Sequence, residues 1–323
     1  MIEFGAWSPP TPPPLAGAYA RNDALARAVL WPTLDGHGPE DVAVDADGRV
    51  IAGLEDGRIL RWPRGGGAPE VVARTGGRPL GIEVDRDGSL VVCDARRGLL
   101  RVRPGAPDPI QVLHQGLRFT NNAAIAANGT IYFSDSSTEY GIDHYRDDLL
   151  AHQPLGRVFA LDPGAREPRL IADRLFFANG VALAPDDSYL VVVETSMYRL
   201  TRIGLSGNRT REVFHDNLAG FPDNLATSPR GTFWVPLPDL RNRVLDALLP
   251  RPRLRRVMSM LPDRLQPQPS RYGLVVEIDA SGQLLRALHD PAGRIAMITG
   301  AREHGGTLYL GSLVDSAVAA VTL

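Results

Sequence analysis

Residues with oxygen-bearing side chains recur at one position of a repeating pattern, and together they have the chemistry of a metal site. Counted eight residues back from successive turn signals, they are Glu40, Asn121, Asn179 and Asp223. Two carboxylates and two amide carbonyls, without His or Cys, form a set of hard oxygen ligands that suits Ca²⁺, with Mg²⁺, Mn²⁺ or Zn²⁺ as alternatives. We therefore predict one divalent metal ion here. Asn122 and Asn224 follow directly in two of the copies. They are candidates for further ligands or for residues that orient the ligands.

The same count reaches apolar residues, Leu80 and Ile298, in the two remaining copies. The simpler alternative is that polar residues at strand entries only bond backbone groups or water in a channel. A shared register of four polar residues, two of them acids that repel each other, favours a cation.

The turn signals belong to a repeat that predicts the elements around the site. Residues 41–50 reappear as 81–90, and weaker copies start near positions 122, 180, 224 and 299. Each copy alternates apolar and polar residues on both sides of a tight turn, which is typical of a β-hairpin. The turn positions are Gly48, Gly88, Gly129, Asp187, Gly231 and Gly306. Three of the intervals, 40, 41 and 44 residues, match the ~40–45 residues of a four-stranded propeller blade.

Six copies predict an all-β fold, a six-bladed β-propeller with residues 1–323 as a single domain. We expect residues 26–31 to form the outer strand of the blade that 308–323 completes. The two remaining intervals between turn positions are longer, and they fit the same period if residues of about 138–154 and 240–270 are insertions. Their apolar periodicity predicts short helices that cap the active-site face as a lid.

Two other segments have unusual composition. Residues 1–20 form a Pro-rich N-terminal arm, and the second insertion carries many arginines. A basic amphipathic helix can bind a membrane surface, although a cap on the propeller is the favoured interpretation.

Composition excludes several classes of protein. The chain has 323 residues, 44% of them hydrophobic, with a net charge of −2 and one cysteine, Cys93. This small net charge does not indicate a surface that binds nucleic acid. A single cysteine excludes an internal disulfide framework. No apolar run approaches the ~18 residues of a membrane span. With no signal peptide in view, we expect a cytoplasmic protein, monomeric or weakly dimeric, that binds a small-molecule substrate.

Strings around the counted positions resemble the strictosidine synthase-like family, which groups with the gluconolactonase and paraoxonase-type six-bladed propellers. They include Gly38-Pro-Glu-Asp-Val, Phe177-Ala-Asn-Gly-Val-Ala and Gly220-Phe-Pro-Asp-Asn-Leu, and the resemblance runs from about residue 25 to residue 323. It is specific for the fold and much less specific for the reaction.

The resemblance implies that a catalytic metal is held by Glu40, Asn179 and Asp223, with Asn121 as a further ligand or substrate contact. Many relatives hydrolyse lactones or aryl esters, so it implies a metal-dependent hydrolase of a small, fairly apolar substrate. The metal would polarise the carbonyl group and water would attack it, with Asp223 as a candidate base.

Two departures leave other reactions open. Leu80 stands where paraoxonases have a His, and Thr299 stands where strictosidine synthase has the Glu of its Pictet–Spengler condensation. The alternatives are a biosynthetic enzyme that catalyses a cyclisation, isomerisation or condensation on the same metal, or a non-catalytic propeller whose metal ties the blades together.

Several residues near the counted positions are candidates for a substrate pocket, although core or surface positions are simple alternatives for each. They are His37, Leu80, Phe119, Tyr140, His144, Phe177, Met197, Phe221 and Ile298. The two histidines could act as acid or base near neutral pH.

Overall fold

The computed structural model describes residues 3–207, 209–262 and 265–323, and within them the chain forms six four-stranded antiparallel sheets. The strands in chain order are β1 (Val29–Pro32), β2 (Val42–Val44), β3 (Val50–Gly53), β4 (Arg58–Trp62), β5 (Glu70–Arg74), β6 (Pro79–Val84), β7 (Leu90–Asp94), β8 (Gly98–Val102), β9 (Ile110–His114), β10 (Thr120–Ile125), β11 (Ile131–Asp135), β12 (Gly156–Leu161), β13 (Arg169–Leu175), β14 (Ala178–Leu183), β15 (Tyr189–Glu194), β16 (Arg199–Gly204), β17 (Arg211–His215), β18 (Ala226–Thr227), β19 (Phe233–Pro236), β20 (Gly273–Ile278), β21 (Leu284–Asp290), β22 (Ile298–His304), β23 (Thr307–Ser312) and β24 (Ala317–Thr322). The α-helices are α1 (Tyr145–Ala151), α2 (Arg243–Leu248) and α3 (Pro252–Ser259).

The sheets are arranged as the blades of a propeller. Five contain consecutive strands, β2–β5, β6–β9, β10–β13, β14–β17 and β18–β21, and the sixth has the order β1-β24-β23-β22. The first strands of the blades contact one another in a ring, in which β22 returns to β2. The predicted six-bladed β-propeller is therefore confirmed.

The sixth blade closes the ring by joining both ends of the strand sequence. β1 pairs with β24, with Val29 opposite Ala320. The expected outer strand at residues 26–31 starts three residues later, because Ala24–Arg27 forms a 3₁₀ turn. Such closure leaves only short and protected sheet edges.

The six predicted turn positions lie between the first and second strands of their blades. All have a positive φ, from 56° at Asp187 to 85° at Gly129. Glycine adopts this left-handed conformation without a steric penalty, and Asp is one of the few other residues that tolerate it. The repeat in the sequence is therefore a repeat of backbone geometry.

The first strands of several blades carry a β-bulge beside the counted positions. Pairing shifts between Thr120 and Ala123 in β10 and between Ala178 and Val181 in β14, and comparable shifts occur in β6 and β22. A bulge changes the direction of the side chains within it. Adjacent residues such as Asn121 and Asn122 can therefore both face the axis of the propeller.

Both insertions connect the second and third strands of a blade. The first contains α1 and lies between β11 and β12, and the second contains α2 and α3 and lies between β19 and β20; residues 263 and 264 of the second fall outside the described residues. Because strands alternate in direction, this connection lies at the end of the blade where the first strand begins. The predicted helical cap over that face is therefore confirmed, and α3 contacts α1 and α2.

The N-terminal arm, described from residue 3, packs on the same helices. The backbone N–H of Gly5 donates to the Ala151 carbonyl at 2.9 Å, and that of Trp7 donates to the Leu249 carbonyl at 3.2 Å. The arm therefore ties the two insertions together from the outside.

The core lies between neighbouring blades. Between the first two blades, for example, Ile51 and Ile59 pack with Ile82 and Val92. Cys93 is fully buried in a neighbouring cluster, and burial raises the pKa of its thiol, as expected for an inert cysteine.

Candidate functional site

The four counted oxygen-bearing residues come from four blades and line one cavity of about 460 Å³. Glu40, Asn121 and Asn179 are each 3% exposed, and Asp223 is partly buried. Residues up to 183 positions apart therefore meet at the end of the channel where the first strands begin.

Three buried oxygen atoms of this set have no hydrogen-bond partner among the described residues. They are Glu40 Oε2, Asn121 Oδ1 and Asn179 Oδ1. A buried polar atom without a partner costs about 1–3 kcal/mol, so a group of three in one cavity requires an explanation. Together with the Asp223 carboxylate in the same cavity, these three oxygen atoms could bind a hard divalent cation.

The two amide side chains are held in one orientation by hydroxyl groups. Asn121 Nδ2 donates to Ser136 Oγ at 2.9 Å, and Ser136 Oγ donates in turn to the Ala178 carbonyl at 2.8 Å. The hydroxyl proton is committed to that carbonyl, so the hydroxyl oxygen can only accept from the Asn121 side chain. The amide nitrogen must therefore face Ser136, which leaves the amide oxygen for the cavity.

The next blade repeats this arrangement. Asn179 Nδ2 donates to Thr195 Oγ1 at 3.3 Å, and Thr195 Oγ1 donates to the Pro222 carbonyl at 2.8 Å. Sequence reasoning missed both hydroxyl residues. The signal was present, since Ser136 and Thr195 lie 15 and 16 residues after the Asn that each one orients.

Asn122 and Asn224 form a bridge across the channel to Glu40. Asn122 Nδ2 donates to Asn224 Oδ1 at 2.9 Å, and Asn224 Nδ2 donates to Glu40 Oε1 at 3.0 Å. The remaining oxygen, Asn122 Oδ1, accepts from the Val181 N–H at 2.9 Å. Both amides are thus engaged within the protein, and the bridge orients Glu40 so that Oε2 is the oxygen left without a partner.

The site has an excess of buried negative charge. Burial raises the pKa of Glu40 well above its usual value, with further contributions from Asp223 and Asp41 that Arg78 partly offsets. Burial and the charge of Asp41 raise the pKa of Asp223 to about 7, against the lowering effect of Asn179. A bound cation would stabilise both ionised carboxylates. The described residues contain no group of three or more His, Cys, Asp or Glu that could hold a metal ion, so this candidate centre depends on its amide oxygens.

Arg78 is a second feature that sequence reasoning missed. This side chain is 4% exposed, lines the cavity and donates from Nη1 to the Gly38 carbonyl at 2.9 Å. Burial lowers the pKa of its guanidinium, although the neighbouring acids, Glu40 first among them, partly offset this effect. Arg78 lies two residues before the apolar counted position Leu80, and a buried guanidinium there can bind an oxygen of a substrate.

A smaller apolar chamber of about 170 Å³ adjoins the cavity. Asn179, Asp223 and Phe177 line both spaces. The remaining wall comes largely from the lid, and its apolar members include Leu149, Leu150, Leu245, Leu249 and Met258. The combined site therefore has a polar end at the four oxygen-bearing residues and an apolar end under the helices.

Phe177 stands where the two spaces meet, in a backbone conformation that is unusual for a bulky residue. Its φ is 56°, and its ring packs edge-on against Phe119 with centroids 5.6 Å apart. Left-handed backbone costs a non-glycine residue roughly 1–2 kcal/mol and persists only where the surroundings fix it. The conformation places an aromatic side chain at the entrance from the cavity to the chamber.

The structure brings some of the other expected pocket residues to these spaces. His37, Leu80, Phe119 and Phe177 line the cavity, and Phe221 lines the chamber. His37 is exposed at the rim, where its Nδ1 lies 2.8 Å from Ser316 Oγ.

The remaining expected pocket residues line neither space. Ile298 is fully buried in the core, and in its blade Thr299 Oγ1 reaches the site instead, donating to the Glu40 carbonyl at 2.7 Å. His144 is exposed and pairs with Asp147 at 3.1 Å. Tyr140 and Met197 lie in the first insertion and in a 3₁₀ turn that ends at Met197.

Models of known families match two parts of the chain. A strictosidine synthase model matches residues 111–208, and a model of the N-terminal part of strictosidine synthase-like proteins matches residues 17–62.

Relatives that match over most of the chain extend this result. The chain is 34% identical over 332 residues to the adipocyte plasma membrane-associated protein of Salmo salar, covering 93% of this chain and 79% of that protein. It is 33% identical to the protein of the same name from Homo sapiens, with the same coverage. It is 31% identical over 297 residues to STRICTOSIDINE SYNTHASE-LIKE 7 of Arabidopsis thaliana, covering 86% of this chain and 77% of that protein.

The cytoplasmic location expected from the sequence is wrong, because the vertebrate relatives are named as plasma membrane-associated proteins. The expectation rested on a single cysteine, on the lack of a signal-peptide pattern and on the lack of a long apolar run, and none of these features keeps a folded domain from binding a membrane surface. In the part of the chain that the structure describes, no helix is long and apolar enough to cross a bilayer.

Solved structures share the fold at low sequence identity. A gluconolactonase from Xanthomonas campestris superposes with a TM-score of 0.65 at 20% identity, covering 93% of this chain and 91% of that one. A calcium-binding protein, regucalcin, from Agrobacterium tumefaciens superposes with a TM-score of 0.63 at 13% identity, covering 91% and 95%. From its curated relatives, the chain belongs to the strictosidine synthase-like family.

Proposed function

We propose that this protein is a metal-dependent hydrolase of the lactonase or esterase type, and that its substrate is small and largely apolar. The observation that carries the proposal is the group of three buried oxygens without partners, Glu40 Oε2, Asn121 Oδ1 and Asn179 Oδ1, in one cavity with the Asp223 carboxylate. The fold neighbours named as gluconolactonase and as calcium-binding protein support the same proposal.

The residues fit a divalent cation, with Ca²⁺ favoured. Glu40, Asn121, Asn179 and Asp223 would hold it through oxygen atoms, the ligands that Ca²⁺ prefers. When bound, such an ion acts as a Lewis acid that polarises an ester or lactone carbonyl. Ser136 and Thr195 keep the two amide oxygens in place, and this orientation of the ligands is a contribution of the protein itself.

Asp223 is the residue that we assign to proton transfer. Among the described residues, it is the carboxylate that lines both the cavity and the chamber. A substrate with its apolar part in the chamber would place its carbonyl at the boundary, beside Asp223. The carboxylate would take a proton from the attacking water and return it to the leaving alcohol.

The other walls bind and orient the substrate. Leu245, Leu249 and Met258 contact its apolar part, and Phe119 with Phe177 keeps water from the reacting carbonyl. Arg78 contributes a buried positive charge to the cavity, where it can stabilise a developing negative oxygen.

A panel of aryl esters and lactones with increasing alkyl length tests the proposal. Hydrolysis should stop after chelation with EGTA and return with added Ca²⁺. The Asp223→Ala variant should lose activity, whereas Asp216→Ala, at an exposed aspartate, should retain it. Turnover that survives both chelation and Asp223→Ala would contradict the proposal, as would a purified calcium-loaded protein that hydrolyses no member of the panel.

A further inference from the structure

The second insertion presents apolar side chains both to the chamber and to solvent. On the inside, Leu245, Leu249 and Met258 line the chamber. On the outside lies a set of residues that we name the outer lid face: Leu254, Val257, Met260 and Leu261, which are 51%, 59%, 74% and 39% exposed. A segment that only roofs a chamber needs an apolar inner side, so the outer side requires a separate explanation.

The outer lid face is more concentrated than the ordinary exposed apolar residues of a surface. Its four members fall within eight consecutive residues, and Leu254, Val257 and Leu261 have the i, i+3, i+7 spacing of one helical face. Comparable residues such as Leu170 and Val213 lie on the last strands of separate blades. Single exposed apolar residues are normal, whereas a contiguous patch indicates an interaction site.

Rotation of α3 cannot bury this face, because the adjacent side of the helix is already fixed. Arg255 is 1% exposed and donates to the carbonyls of Leu150 and Gly5. Met258 is 8% exposed and lines the chamber. These contacts with α1 and the N-terminal arm hold the helix with its outer residues in solvent.

The exposed charged residues of α2, of α3 and of the short segment between these helices are positive. Arg243, Arg251 and Arg253 are exposed. Residues 243–262 contain one acidic residue, Asp246. Its side chain is partly buried and pairs with Arg241 at 2.9 Å. Apolar side chains flanked by arginines complement a surface on which anionic groups cover an apolar layer. A second copy docked through the same face would instead bring like charges together.

We propose that the outer lid face docks on the surface of a lipid bilayer that contains anionic lipids. The arginines would lie at the level of the head groups, and Leu254, Val257 and Met260 would enter the boundary with the acyl chains. The relatives named as plasma membrane-associated proteins agree with this location. Because α2 and α3 also wall the chamber, docking would place the chamber next to the lipid. The docking itself does not depend on the reaction proposed above.

Vesicle flotation tests the proposal on the purified full-length chain. We expect binding to phosphatidylcholine vesicles that contain about 30% phosphatidylserine, weak binding to phosphatidylcholine alone, and a decrease with added salt. Leu254→Ser combined with Val257→Ser should weaken binding at least about tenfold, because both side chains lose their apolar burial. Arg251→Gln combined with Arg253→Gln should weaken it about fivefold for each arginine.

Matched substitutions elsewhere provide the controls. Leu170 and Val213 are 47% and 52% exposed, so Leu170→Ser with Val213→Ser changes the same residue types at similar exposure. Arg64→Gln with Arg86→Gln removes two exposed arginines outside the lid. Equal binding by lid and control variants of equal melting temperature would overturn the proposal. Absence of vesicle binding by the wild type would also overturn it, as would self-association that Leu254→Ser with Val257→Ser abolishes.

Discussion

Asn121 Nδ2 donates a 2.9 Å hydrogen bond to Ser136 Oγ, and this bond determines which atom of the Asn121 side chain faces the cavity. Ser136 can accept this bond because its own proton goes to the Ala178 carbonyl, in the next blade. The contact between two blades therefore also orients a residue of the candidate metal site. Thr195 has the same position and the same two bonds relative to Asn179 and Pro222.

Removal of the orienting hydroxyl should weaken metal binding without removing any proposed ligand. We expect Thr195→Val, which keeps the shape of the side chain, to lower the affinity for Ca²⁺ about 10- to 100-fold. Thr195→Ser keeps the hydroxyl and should restore most of the affinity. Calcium titration of the three proteins is the measurement. Equal affinities for Thr195→Val and Thr195→Ser would show that the hydroxyl has no orienting role.

Neutralisation of Glu40 should separate the cost of the buried charge from the benefit of the metal. In EGTA at about pH 8, Glu40→Gln should be at least as stable as the wild type, because burial of the Glu40 carboxylate outweighs the partial compensation by Arg78. Addition of Ca²⁺ should raise the melting temperature of the wild type but not that of the variant. Glu139→Gln, at an exposed glutamate, is the control. A full calcium-dependent shift in Glu40→Gln would contradict the assigned role.

A buried acid under the lid should make stability depend on pH. Asp148 on α1 is fully buried, and burial raises its pKa from 3.8 to about 7 against the lowering effect of a hydrogen bond with Ser137. The folded state therefore holds a proton that the unfolded chain has lost, so the free energy of unfolding falls as pH rises through this window. Asp148→Asn should remove the part of this dependence that Asp148 carries and stabilise the protein above pH 7 by up to about 4 kcal/mol.

Urea unfolding at about pH 5 and pH 8 measures this effect. Asp147→Asn, at the neighbouring partly exposed acid, should behave like the wild type at both values. If wild type and Asp148→Asn lose the same stability between the two conditions, Asp148 does not carry the buried proton.

The apolar chamber should select for the size of the substrate. Leu245 lines it, whereas Val244 on the same helix is 59% exposed. Leu245→Trp should fill part of the chamber and lower kcat/KM for esters with long alkyl groups by about 10- to 100-fold, with little change for acetates. Val244→Trp is the matched control. A uniform loss over all chain lengths in Leu245→Trp would indicate damage to the lid rather than a filled chamber.

The repeat in the sequence was sufficient to predict the propeller, because its period reflects a recurring turn. Five glycines and Asp187 occupy one left-handed backbone position in six blades. The same register brought Glu40, Asn121, Asn179 and Asp223 to one cavity, since equivalent positions of a closed ring face the same axis.

Other parts of the site were beyond the reach of a residue count. Ile298 has the pairing position of Thr120 and Ala178, one residue before the Asn in those strands. It therefore lies in the core, and Thr299 reaches the site instead. The lid residues that wall the chamber were not foreseen, because they come together only when α1, α2 and α3 pack over the channel. The burial of Asp148 likewise depends on this packing, which leaves no periodic signal in the sequence.

Calorimetric titration of metal-free protein with Ca²⁺ tests the central claim most directly, because it requires no knowledge of the substrate. The account predicts one Ca²⁺ per chain, bound with an affinity that falls sharply in Asn121→Ala and in Asn179→Ala. A wild-type protein that binds neither Ca²⁺ nor another divalent ion, or that binds Ca²⁺ equally well in both variants, would contradict it.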